Sequence, residues 1–471
     1  RAHGEARPRP RRSLRPAAGL AVGALALGCV LANSGTAGAA SPATRATAAT
    51  LTAAASATAA APAASRAKAG DLLDVTLDQL HPTQPAIGFD QIYYKLGRYT
   101  STKDEANGDL NKRFDDWCET NGQEKAASVK RGAKLSDASS FTCSVAVGKE
   151  TAETRAAMKT AVVGPGGVLY LTDGHHTLTS FLETPDGGPK TRIRLRVVDN
   201  LSGLSGAAFW QTMREKKWVW LRDENNRPLT TDQLPSHLGL AHFHDDRYRS
   251  LVYFTRDIGY QAPSDAAEFL EFQWGTWLRE RVDLGAYDLT TPASYLSAIR
   301  TASETMSATP GDTVVADGRT ADELGRMKEW NNGKKATGGE FGKLSAPISE
   351  SKPGKLAYAL DFRSHVPAAP ACTRTVTGTH VGPLVVSSGV TCLNGTKLTG
   401  PVVVGAGASL YAKGAEITGP VQAVGARTVQ LCGTSLTGPL SVVGTKERLT
   451  LSGPGCTPNT LKGPVQLVGN P

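Results

Sequence analysis

Val168-Leu169-Tyr170-Leu171 leads through Thr172 into Asp173-Gly174-His175-His176-Thr177, after which Leu178, Phe181 and Leu182 recur at helical spacing. The apolar run reads as a strand and the later spacing as one face of a helix, so the polar residues occupy a strand-to-helix turn. Gly174 allows a sharp bend, and the amides after it have no partner inside the helix. Their N–H groups and the positive end of the helix dipole point the same way, which makes the turn a seat for an anion. Asp173 and two imidazoles add groups that ligate a metal or carry a proton near neutral pH. A plainer reading stands beside this one: Asp173 only caps the helix, and the histidines are polar residues packed at a turn.

Outward from the turn, Thr160 to Val163 and Val168 to Leu171 read as a hairpin closed by Gly164-Pro165-Gly166-Gly167. Leu73 to Val75 reads as another short strand. Thr191 to Val197 alternates strictly, with Ile193, Leu195 and Val197 on one face and Arg192, Arg194 and Arg196 on the other. The arginines read as the wet face of an edge strand protected by charge; an anion-guiding strip is the second reading. Helical patterns are expected in the later part of Ile87 to Leu96, over Glu105 to Trp117 and over Thr151 to Met158. Residues 206–280 read as mainly helical: Pro235-Ser236 starts a short helix, Asp245 or Asp246 caps the next, and Leu270, Trp274, Trp277 and Leu278 share a buried face. A last helix is expected from Thr320 to Trp330, opened by a capping box of Thr320 and Glu323.

These residues resemble a known family. Leu77-Asp78-Gln79-Leu80-His81-Pro82-Thr83-Gln84 with Gly88 and Lys95, the Asp-Gly-His-His-Thr turn, Asp245-Asp246-Arg247-Tyr248-Arg249-Ser250-Leu251 and Glu271-Phe272-Gln273-Trp274 with Leu278-Arg279 are similar to the ParB-like nuclease family of the ParB/sulfiredoxin fold superfamily. The resemblance spans about residues 72 to 285. It implies an α+β ParB/sulfiredoxin-like domain with a helical extension, and a turn that binds phosphate. Sulfiredoxins carry Gly-Cys-His-Arg there; His175 stands where their cysteine would, so thiol chemistry is excluded. Free-serine kinases of the superfamily carry Asp-Gly-His-His-Arg. By that similarity Asp173 lies near a transferred phosphoryl group, and His175 and His176 contact phosphate. Thr177 replaces the arginine, and a planar two-pronged clamp is lost with it.

The chain has 471 residues and a formal net charge of +9. Six arginines precede the apolar stretch Ala17 to Ala32, and Ala37-Gly38-Ala39-Ala40 offers small-residue cleavage sites, so residues 1–40 read as a secretion signal. Cys29 lacks the aliphatic residue three before it that a lipoprotein site favours. Without residues 1–40 the net charge falls to +4, which argues against a broad nucleic-acid-binding surface. No later apolar run reaches membrane-spanning length, and the mature chain is expected to be soluble, secreted or at the cell surface. Residues 41–70, almost all Ala, Thr, Ser and Pro, read as a disordered linker. The remaining six cysteines suit disulfides in an exported protein, and Cys118–Cys143, Cys372–Cys392 and Cys432–Cys456 are the expected pairs, although spacing alone leaves other pairings open.

The last hundred residues differ in kind. Gly-Pro recurs at 382, 400, 419, 438 and 463, at intervals of 18, 19, 19 and 25 residues. A period near 19, with short valine-rich strands between glycine turns, predicts a β-solenoid of three short faces over 371–471. The ParB/sulfiredoxin-like domain is expected over 71–300, with a helix and flexible linker over 301–370 between the two.

The site these residues define consists of Asp173, His175 and His176 as catalytic groups, with Gly174, His175, His176, Thr177 and Lys95 holding phosphate. The reaction expected is that of a nuclease or phosphodiesterase, or of a phosphotransferase-like enzyme; hydrolysis would need a water activated by a base or metal. A divalent metal suits the donors, though no metal set or other cofactor is fixed. His242-Phe243-His244-Asp245-Asp246 is a second cluster of metal-like composition beside a helix start. The partners implied are a phosphate-containing ligand or nucleic acid. The competing reading is a non-catalytic cell-envelope or extracellular protein that uses its solenoid as a rigid stalk or binds a cell-envelope polymer.

Overall fold

A computed structural model describes residues 64–471, except 265 and 267. The expected secretion signal, Cys29 and residues 41–63 of the expected linker lie outside the described residues. The described end of that linker is packed: Ala64 and Ala67 are buried, and the Asn200 amide donates to the carbonyls of Ser65 and Ala67 at 3.0 and 2.6 Å. Alanine, too small to build a core alone, finds one ready-made on the head.

The head is α+β. Its sheet runs in the order Leu72–Thr76, Arg192–Asn200, Thr160–Val163, Leu169–Leu171, Leu80–His81. Thr160–Val163 and Leu169–Leu171 form the expected antiparallel hairpin. Ile193, Leu195 and Val197 are buried as the alternation requires. Their strand is not an edge, however, because it pairs antiparallel with Leu72–Thr76 and parallel with Thr160–Val163. Acids hold the arginine stripe at its centre: Arg194 meets Asp74 Oδ1 at 2.9 Å and Glu150 Oε1 at 2.8 Å. Charge on a strand face marks a solvated or paired face, and cannot say whether another strand lies beside it.

Helices cover the sheet. Phe89–Thr100 is longer than the reading of 87–96 suggested, and the expected Glu105–Trp117 helix is two pieces, Lys103–Ala106 and Lys112–Thr120. The pattern over 151–158 forms only the short helix Ala152–Ala156. Pro235-Ser236 begins no helix. Asp246, not Asp245, caps the helix Arg247–Thr255, accepting from Arg249 N at 3.0 Å. Leu270, Trp274, Trp277 and Leu278 are buried on Leu270–Arg279.

The helix expected over 320–330 is absent. Its capping box does form, with Thr320 N donating to Glu323 Oε2 at 2.7 Å and Glu323 N to Thr320 Oγ1 at 3.3 Å. The chain then turns at Gly325 (φ +77°), where an added Cβ would fall on the Gln261 carbonyl oxygen. A local start signal is thus overridden by a tertiary crossing. Beyond Gly333, where linker was expected, lie the helices Gly339–Leu344 and Lys355–Ser364. Arg363 reaches buried Asp90 at 2.8 Å, which also accepts from the Tyr295 hydroxyl at 2.9 Å, so the last helix is bolted to Phe89–Thr100 and Pro292–Ala308.

The tail is a β-solenoid with three parallel five-stranded sheets. Pairing advances by 19 residues per coil through the middle, as in Val402↔Val421 and Val421↔Leu440. Aliphatic side chains fill the narrow interior, among them Leu398, Ile417 and Leu436 at equivalent positions. Gly400, Gly419 and Gly438 have φ of +143°, +141° and +142°, and a Cβ on each would fall on the carbonyl oxygen of the stacked glycine below. The Gly-Pro repeat is therefore a column of backbone-on-backbone contacts. All three expected disulfides form.

The largest departure from the repeat carries a contact to the head. The last coil advances by 25 residues, Leu440↔Val465, and the extra chain carries Cys456 and Thr457. Thr457 donates its hydroxyl to Glu183 Oε1 at 2.5 Å and accepts from Ala241 N at 2.9 Å, while Glu183 also accepts from Leu240 N at 2.7 Å. Burial pushes the Glu183 carboxyl up to about 7 from its ordinary 4.5, against the opposing pull of these bonds and of Lys413. The stability its neutral form contributes is full below about 4.5 and is lost as pH rises through about 7. His242 works in the opposite sense, lowered to about 4 by burial. Glu183→Gln keeps both accepted bonds and removes one titration. The melting temperature of the variant should rise relative to wild type between pH 5 and pH 8, read by thermal unfolding at each pH. A difference that stays constant over that range would contradict the buried carboxyl.

Candidate functional site

The site is built where the Leu169–Leu171 strand ends. Thr172 N donates to Thr160 O at 3.0 Å, and the Thr160 and Thr172 hydroxyls lie 2.7 Å apart, which closes the hairpin beneath the turn. Gly174 takes φ +103° as the N-cap of the helix His175–Glu183. A side chain there would strike the Lys159 stem, 2.7 Å from Cγ. The first intrahelical bond is Leu178 N to Gly174 O at 2.9 Å, and no side chain caps the helix. The N–H groups of His175, His176 and Thr177 have no acceptor among the described residues.

Both imidazoles face inward. His175 Nε2 accepts from Thr83 N at 3.1 Å, and Thr83 in turn donates its hydroxyl to Leu171 O at 2.5 Å. His176 Nε2 accepts from Gly88 N at 3.0 Å. Each ring is therefore neutral with its proton on Nδ1, and each ties the loop Thr83–Gly88 to the helix start. Burial lowers the His175 pKa to about 4, and burial followed by the charge of Arg249 holds that of His176 well below its ordinary value. Gly88 is confined from its other side, where a Cβ would lie 2.8 Å from Ser250 N.

Asp173 points outward, its side chain 58% exposed, and pairs with Lys159 at 3.2 Å. Thr177 is half-buried. Lys95 is engaged elsewhere: Asp116 Oδ2 holds its ammonium at 2.7 Å, and Asp116 also accepts from Tyr99 at 2.5 Å. Lys159 is thus the ammonium beside the turn, and nothing in its own stretch of sequence marks it. Arg249 is a second residue whose importance emerges from the fold. It is buried, its Nε and Nη1 have no hydrogen-bond partner, and its other nitrogen lies 3.7 Å from Glu271. Arg247 is exposed and makes no ion pair among the described residues.

The second cluster does not converge. His242 lies against the solenoid glycine Gly414, His244 faces Glu224 at 3.8 Å, Asp245 accepts from Phe89 N at 3.0 Å, and Asp246 caps a helix and pairs with Arg279 at 2.6 Å. Among the described residues no group of three or more His, Cys, Asp or Glu is placed to hold a metal ion. Nor is any helix among them long and apolar enough to cross a membrane.

Fold and site together define an α+β domain with a strand-turn-helix motif at Asp173–Thr177, joined to a β-solenoid. Residues 73–280 match the family described as Putative ParB-like nuclease. Among solved structures, that of protein Atu1540 from Agrobacterium tumefaciens is similar at 18% identity, covering 50% of this chain and 93% of that one with a TM-score of 0.33, a likeness too low to carry an argument. No curated protein matches the chain.

If the imidazoles are crossbars, removing one exposes a buried donor. His176→Ala leaves Gly88 N without its acceptor and should cost about 1–3 kcal/mol, plus the cavity, with His176→Gln recovering part of the loss. Chemical denaturation at pH 7 measures this. Unchanged stability in His176→Ala would mean the bond to Gly88 contributes nothing.

Proposed function

We propose that the turn at Asp173–Thr177 is the functional centre of the head and receives a phosphate group of a nucleotide or nucleic acid. The observation that carries the reading is the set of three unpartnered amides at His175, His176 and Thr177, on a helix that no side chain caps. The Thr177 hydroxyl adds a donor, and buried Arg249 supplies positive charge on the inner side. Lys159 balances the Asp173 carboxylate at the rim.

In this reading His175 and His176 position the amides, because their Nε2 lone pairs are already used. Asp173 is the catalytic candidate, the one exposed carboxylate at the turn and the group able to take a proton from an attacking water or to share a divalent ion with the phosphate. The family description favours phosphodiester hydrolysis as the reaction class. Export, proposed from residues 1–40, agrees with the three disulfides, which form in oxidising compartments. The alternative, a non-catalytic envelope protein, draws on the exposed valines Val385 and Val403 at equivalent positions of neighbouring coils, a surface that a polymer or partner could cover.

Thr177→Asp places a carboxylate at the amides and should weaken nucleotide binding at least about tenfold, equivalent to 1.4 kcal/mol, without lowering the melting temperature. Asp173→Asn should retain binding and lose hydrolysis of single-stranded DNA or RNA assayed with Mg²⁺, Mn²⁺ or Zn²⁺. Titration calorimetry and gel assays read the two effects. Equal nucleotide binding by wild type and Thr177→Asp would overturn the site, and binding without hydrolysis in wild type would favour the non-catalytic reading.

A further inference from the structure

We infer that the head carries a second anion pocket, built jointly by the ParB-like domain and the helices that follow it, and that it takes a compact phosphate-type oxyanion. A cavity of about 180 Å³ lies where Tyr94 and Tyr253 meet Tyr358 of the helix Lys355–Ser364. The Tyr94 ring is 6.1 Å from that of Tyr253 and 6.4 Å from that of Tyr358. Residues 339–364 lie beyond the family match, so the pocket is a feature of this chain's own extension.

Its charge is strongly one-sided. Arg98, Arg256, Lys343 and Lys355 line it against a single carboxylate, Glu340. Three of these cations have acids already: Arg98 holds Asp104 at 2.9 Å, Arg256 holds Glu271, and Lys343 holds Glu340 at 2.5 Å. Lys355 has no carboxylate partner among the described residues, and its ammonium stands over the Tyr253 ring, 5.5 Å from the centroid. The same residue opens its helix. Gly354 is the N-cap, no side chain caps it, and the first intrahelical bond is Tyr358 N to Gly354 O at 3.2 Å. Gly354 admits no side chain, since a Cβ would fall on the Leu344 carbonyl oxygen. An uncompensated ammonium, unaccepted amides and walls of tyrosine thus meet in one recess, where reduced exposure to water strengthens each attraction.

The size selects the ligand. Pockets for drug-sized molecules run to roughly 300–1,000 Å³, so this one suits a tetrahedral oxyanion, either free or as the phosphate end of an ester whose remainder stays outside. This site is separate from the turn, and the two can fail independently.

The test uses the full chain with ¹³C-labelled tyrosine rings, titrated with inorganic phosphate and followed by NMR. A saturable shift of the Tyr94, Tyr253 and Tyr358 ring signals is expected in wild type and in Thr177→Asp. Lys355→Gln should raise the midpoint at least tenfold, and Lys355→Arg should restore most of the affinity. A phosphomonoester that shifts the same rings identifies an ester as a ligand; a shift with inorganic phosphate alone identifies the free ion. No saturable shift, an unchanged midpoint in Lys355→Gln, or loss in Thr177→Asp instead would overturn the pocket.

Discussion

Two hydrogen bonds hold the turn and the loop beside it in one geometry: Thr83 N to His175 Nε2 and Gly88 N to His176 Nε2. Each joins residues far apart in the chain, and each requires an imidazole that is neutral and protonated on Nδ1. The loop they fix also carries Ala86–Ile87, which pairs with His244–Asp245. From there Asp245 anchors Phe89 N and Asp246 starts the helix Arg247–Thr255. A histidine that accepts from the main chain here keeps the sheet, the loop and two helices in register. The amides of His175, His176 and Thr177, which have no acceptor among the described residues, are the groups on which the proposed function rests.

That division explains why the turn was legible and its workings were not. Apolar spacing around Val168–Leu171 and Leu178–Leu182 discloses a strand, a bend and a helix, because those signals are local. The direction in which His175 and His176 point is set by Thr83 and Gly88, whose approach no local pattern records. Lys95 and Lys159 make the same point. Both are lysines in unremarkable surroundings, and only the fold gives one to Asp116 and the other to Asp173. The cap could be narrowed to Asp245 or Asp246 because a cap acts within its own turn, and the fold selects Asp246.

In the tail the situation is reversed. A solenoid repeats its local rule on every coil, so the Gly-Pro period exposes the architecture directly. The positions where that rule fails carry the information about assembly. The 25-residue last interval places Thr457 against Glu183 and clamps the solenoid to the head. Likewise the capping box at Thr320 forms without its helix where Gly325 crosses under Gln261, and the helix Lys355–Ser364, in a stretch read as linker, is held by Arg363 on Asp90. Each is a contact between distant segments that overrides a correct local signal.

The central claim is that the paired histidines are structural acceptors and the amides beside them are the functional surface. The most direct measurement is ¹⁵N NMR of the ring nitrogens of His175 and His176 at pH 7, with coupling to the amides of Thr83 and Gly88. The account predicts two neutral rings protonated on Nδ1, with Nε2 hydrogen-bonded to those amides. An imidazolium, or a proton resident on Nε2 of either ring, would contradict it.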